Sequence, residues 1–171
     1  MTTSKEIEKF INKTKELEKG HQLDLSSGED LSIAIMNLIG IEEHMFFTSQ
    51  KLGDTKYIDI LNTAREMRKE LMKKIVKEGQ GEVWCTSKHL LSASMRLMEV
   101  GTKSLTKGDQ KEANDYFKKS FDLYNLFWGL NLGLIKSDSK KIKFEEKAIP
   151  EKSLMGTISQ TIGKILDCCR E

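Results

Sequence analysis

Gly20, Gly53, Gly79, Gly81, Gly108 and Gly133 punctuate the chain at helix-length intervals, and Pro150 is the one proline in 171 residues. Between these stops, apolar residues recur three and four positions apart, the period of a helix that buries one face. This punctuation leaves little scope for anything but packed helices. The alternation from Lys141 to Phe144 is too brief and too charged to support a sheet.

The first segment opens on a capping box, Thr3 with Glu6, carries Ile7, Phe10, Ile11 and Leu17 on one stripe, and stops at Gly20. It predicts a flanking helix over 3–19. Ser27 and Asp30 offer a second start, for a strongly apolar helix from about Asp30 to Leu52 that Gly53 ends. Asp54 or Thr55 can cap the next, about Lys56 to Lys77, and a further helix runs from about Glu82 to Leu105. The turn Thr106-Lys107-Gly108-Asp109 leads into another, reaching about Leu132.

Short turns imply antiparallel neighbours. The expected fold is all-α, an antiparallel up-and-down bundle of four long helices with an N-terminal and a C-terminal flanking helix. Residues 1–135 would form the bundle domain and 136–152, opening Lys136-Ser137-Asp138-Ser139-Lys140-Lys141, a polar linker. Residues 153–171 read as a separable amphipathic helix with Met155, Ile158, Ile162, Ile165 and Leu166 on one stripe.

Charge narrows the partner classes. With 28 basic and 26 acidic residues the formal charge is +2, so nothing draws the whole chain to a phosphate backbone, and nucleic acid is not expected. The basic run Arg65 to Lys77 contains Glu66 and Glu70 and reads as a solvated helix end. The greasiest stretch, Leu31 to Ile41, is too short to span a bilayer and contains Asn37, and Met1 to Glu6 lacks the apolar core of a signal peptide. No membrane partner and a cytoplasmic location are the expectation. Three cysteines, two of them adjacent at Cys168-Cys169, make no secreted disulfide framework, so reduced thiols are expected.

The most site-like residues are Cys85 and His89, one helical turn apart, and His44, directly after Glu42-Glu43. At 100° per residue, Glu42 falls on the apolar face of its helix while Glu43 and His44 point elsewhere. A buried carboxylate needs a partner, and counting from the turn places Glu42 opposite Arg65 with Arg68 just beyond, on the inner face of the next helix. A structural ion pair of Glu42 with Arg68 or Arg65 follows. One inward glutamate does not make a ferritin-like di-iron site, which draws glutamates from all four helices.

Cys85 and His89 lie opposite the apolar side of their helix, with Arg96 and Lys103. Cysteine and histidine at i and i+4 can chelate a metal, with Cys168 and Cys169 completing the set if the last helix docks over the small residues Ala93 and Val100. Zinc or iron would be the cofactor on that reading. A partly exposed Cys85 beside His89, Lys88 and Arg96 could instead serve as a redox-sensitive thiol. A pocket enzyme built on Glu42 would need an acid-base partner that the helical wheel does not supply.

Gly101, Ala113 and Phe117, with the Gly108-Asp109 turn and a small residue at Ser120, resemble one tetratricopeptide repeat over residues 94–127. Leu97 stands for the usual tryptophan, Ser104 for the tyrosine and Asn125 for the proline. The resemblance covers about a fifth of the chain and implies a helical hairpin with a protein-interaction role, without binding residues to carry over. Aromatic residues crowd from Tyr116 to Trp128, mostly as core, and Phe46 and Phe47 broaden an already wide apolar face. The resulting expectation is a non-enzymatic interaction or assembly module, with a protein partner or a second copy and no cofactor. The alternative is a metal- or thiol-dependent protein using Cys85 and His89.

Overall fold

The computed structural model describes residues 8, 11, 12, 25–77 and 81–135. Four helices account for most of them: α1 (Leu25–Leu52), α2 (Lys56–Ile75), α3 (Glu82–Thr106) and α4 (Gln110–Asn131). No strand occurs among the described residues, and none of their helices is long and apolar enough to cross a membrane. The expected flanking helix at the N-terminus lies largely, and the linker and C-terminal helix wholly, outside the described residues.

Boundaries follow the punctuation with one displacement. α1 starts at Leu25, two residues before Ser27 and about a turn and a half before Asp30, so Ser27 sits inside the helix instead of capping it. Asp54 accepts the Lys56 N–H at 3.0 Å ahead of α2, and Asp109 caps α4 by accepting the Glu112 N–H at 2.9 Å. α2 ends two residues before Lys77 because Val76 turns to extended backbone and joins the core, its N–H still bonded to the Met72 carbonyl. Gly53 and Gly108 adopt φ of +63° and +84° at the ends of α1 and α3, a conformation that ordinary side chains resist.

Helices α1 and α2 pair as one antiparallel hairpin and α3 and α4 as another; the hairpins approach each other most closely through α1 and α3. The α3/α4 contact is built on small residues. Ser87, Ser94 and Gly101, spaced by seven, form one row, facing Ala113 and Ser120. Ser94 donates to the Ser120 carbonyl at 2.9 Å and Ser120 donates back to the Ser94 carbonyl at 2.7 Å. A Cβ on Gly101 would lie 2.6 Å from the Phe117 ring, so the two helices meet at a distance only glycine allows.

The core lies at one end, the base, where α1 and α3 begin and α2 and α4 end. Ile35, Met72, Ile75, Val76, Leu90, Leu91, Leu126, Phe127 and Trp128 form it, and Leu134 and Ile135 fold back against it. Tyr124, Phe127 and Trp128 pack as stacked and edge-on rings, with centroids 5.2–6.4 Å apart. The Tyr124 hydroxyl shares a 2.7 Å hydrogen bond with Ser32 of α1, tying the two hairpins together. Burial pushes the Tyr124 phenol above its usual range, an effect the Ser32 bond partly offsets.

Candidate interaction surface

The inner rows of the four helices do not end where the core ends. On α1, Phe46 lies eleven residues beyond Ile35 and so on the same row; on α3, Met98 and Leu105 follow Leu91 at steps of seven. On α4, Phe121 precedes Trp128 by seven. On α2, Ile60 precedes Leu71 by eleven, with Met67 one turn away. Each row is buried at the base, yet Phe46, Ile60, Met67, Met98, Leu105 and Phe121 are 47–53% exposed.

Phe46, Ile60, Met98 and Leu105 lie towards the hairpin tips at 53–55 and 107–109, and Met67 and Phe121 lie at mid-helix. The helical wheel predicts Ile60, Met67, Met98 and Leu105 as core, and the structure corrects this. A stripe's phase settles which way a side chain faces; its burial also requires a neighbour within reach, and the hairpins supply one only at the base. Phe47 and Leu52 add exposed apolar surface on α1. Covering the exposed halves of six such side chains is worth on the order of 5–9 kcal/mol before ordering costs.

A cleft of ≈ 340 Å³ runs along the α1/α3 seam, lined by Met36, Gly40, Glu43, His44, Met95 and Arg96. Glu43 and Arg96 bridge the two hairpins, Arg96 Nε donating to Glu43 at 3.0 Å, and Glu99 holds the other side of the same guanidinium. Hydrogen bonds to Glu43 and then Glu99 raise the Arg96 pKa further, so this group stays charged and has no proton to exchange. The array fixes orientation more than it stabilises, because all three side chains are well exposed.

Other candidate residues fall into three places. Glu42 meets Arg68 within the α1/α2 hairpin, in a two-pronged pair with Nη2 to Oε2 at 3.2 Å, and Arg68 Nη1 also reaches the Met72 sulfur at 3.6 Å. Arg68 is nearly fully buried, whereas Arg65 is exposed. Cys85 and His89 are both exposed on the outward face of α3, and His44 is exposed at the cleft. Cys168 and Cys169 lie outside the described residues. Among the described residues, no group of three or more His, Cys, Asp and Glu is placed to hold a metal ion.

Three further features stand out, one of them legible in the sequence. The Glu43–Arg96 bridge depends on the register of α1 against α3, which no turn connects and no periodicity sets. The row Ser87, Ser94, Gly101 was legible, because small residues at steps of seven mark a close helix contact. Asn125 is wholly buried with neither amide atom hydrogen-bonded. No protein-family model, curated protein or solved structure matches this chain.

Proposed function

We propose that the chain is a non-enzymatic interaction module, an up-and-down arrangement of two hairpins joined at the base whose tips receive an apolar helix. The observation that carries this reading is the exposure of the inner row on all four helices once it leaves the core. Scattered apolar residues are normal on a protein surface, but aligned ones that continue a core mark a surface built to be covered. A partner helix with apolar residues three and four apart would complete the core that the hairpins leave unfinished.

The resemblance of 94–127 to a tetratricopeptide hairpin supports the same class. The proximity of Gly101 to Phe117 and the Ala113 carbonyl is the close packing such a hairpin needs. The cleft between α1 and α3 extends the surface and adds a charged rim at Glu43, Arg96 and Glu99.

Cross-linking in cells, followed by recovery of the full chain, tests the reading. Met98→Glu with Phe121→Glu is expected to abolish recovery of cross-linked complexes while leaving the thermal midpoint within a few degrees. Cys85→Ser and His89→Ala are expected to change nothing. Equal recovery with and without the two glutamates would sink the proposal, and loss on Cys85→Ser would favour the thiol or metal alternative.

A further inference from the structure

Residues 136–171 follow the last described residue, Ile135, which packs against the base of the molecule. Within them, 153–166 carries Leu154, Met155, Ile158, Ile162, Ile165 and Leu166, a helical stripe of six large apolar residues. Its remaining positions carry little charge, as in the stretch 122–135, which likewise holds one charge in 14 residues and packs into the core. In a sequence that is 32% charged, 153–166 holds one charge, Lys164, and its other polar residues are serine, threonine and glutamine. Gly156 and Gly163, seven apart, share one flank.

Such a helix suits burial between two apolar walls better than a place on a solvated surface. The glycines would allow close approach, and each lowers intrinsic helix propensity, so a helix over this segment would need packing to form. We infer that 153–166 occupies the apolar mouth between the hairpin tips and is displaced by a partner, an inference that rests on the interaction reading above. The segment acts as an internal competitor for its own binding surface.

Reach permits the docking. α4 runs about 33 Å from base to tip, and the linker 136–152 can span up to about 55 Å when extended. The N-terminal stripe Ile7, Phe10, Ile11 and Leu17 is the rival occupant within the chain. It sits among nine charged residues between Lys5 and Lys19, whose solvation it would forfeit on entering an apolar mouth. The outward face of α3 at Ala93 and Val100 is the rival site, but it presents two small side chains against the mouth's six large ones.

The experiment uses the full chain with Cys85→Ser, Cys168→Ser and Cys169→Ser, and pairs Met98→Cys with Ile162→Cys. Mild oxidation at micromolar concentration is expected to give an intrachain disulfide in most molecules, whereas Ala93→Cys with Ile162→Cys stays reduced. Equal cross-linking at Ala93, or disulfides only between chains, would overturn the inference. A second measurement adds the apolar dye 8-anilinonaphthalene-1-sulfonate to the full chain with its native cysteines. Ile158→Glu with Ile162→Glu is expected to raise its fluorescence several-fold, and Met98→Glu with Phe121→Glu to abolish that rise.

Strong fluorescence already in the parent chain, unchanged by the tail substitutions, would mean an open mouth; the inference then fails and the interaction reading stands. Weak fluorescence both with and without the tail substitutions would mean that no apolar binding surface exists, and both fail.

Discussion

At the base, Ile35, Met72, Leu91, Phe127 and Trp128 are sealed from solvent, while one to three turns along the same helices Phe46, Met67, Met98 and Phe121 stand half exposed. The two ends share their helices, their periodicity and much the same residue types. They differ in what surrounds the rows: at the base, four helices and the returning Leu134 and Ile135 enclose each side chain, and at the tips each hairpin has little but its own partner helix. Amphipathicity therefore specifies a direction, and the number of neighbours decides whether that direction is dry.

Stability measurements in urea would sharpen this contrast. In a chain carrying Ile158→Glu and Ile162→Glu, Trp128→Ala at the base is expected to cost about 4 kcal/mol, against under about 1 kcal/mol for Met98→Ala towards the tips, because a half-exposed side chain leaves no sealed cavity. Similar losses at both positions in that background would mean that something other than the tail covers the tips in solution.

Glu42→Leu is expected to cost about 3 kcal/mol by leaving the Arg68 guanidinium, which cannot give up its charge, buried and unpaired. Adding Arg68→Met should recover most of that loss, and a double variant as unstable as the single one would show that the charge pair is not what matters there. Gly101→Val is expected to cost about 2 kcal/mol by forcing Phe117 away and prising α3 from α4.

Asn125→Leu tests the base from the opposite direction. Replacing a buried amide without partners by an apolar side chain of similar size is expected to raise stability by about 1 kcal/mol. A loss instead would mean that the amide is bonded in solution. The smallest effect is expected at the Arg96 bridge: Glu43→Gln should change stability by less than about 0.5 kcal/mol, a change that 1 M salt removes.

Much of the fold was legible because glycine stops, caps and a 3.6-residue period are local properties. The helix ends at Leu52, Thr106 and Asn131 lie within one residue of the expected ones. The α1 start was less legible, since serine serves inside a helix as well as at its cap. Counting from a three-residue turn places Glu42 opposite Arg65, because a short connection transmits register from one helix to the next, and the structure pairs it with Arg68 just beyond, on the inner face.

The sequence by itself determined that these segments are helices, which face of each is apolar, and that Cys85 and His89 point away from that face. Only the tertiary structure decided that Glu43 meets Arg96, that the core gathers at one end, and that the inner rows lie open at the other. Those features depend on how two hairpins, tied at the base, settle against each other. That placement is set by contacts far apart in the chain, which local periodicity does not encode.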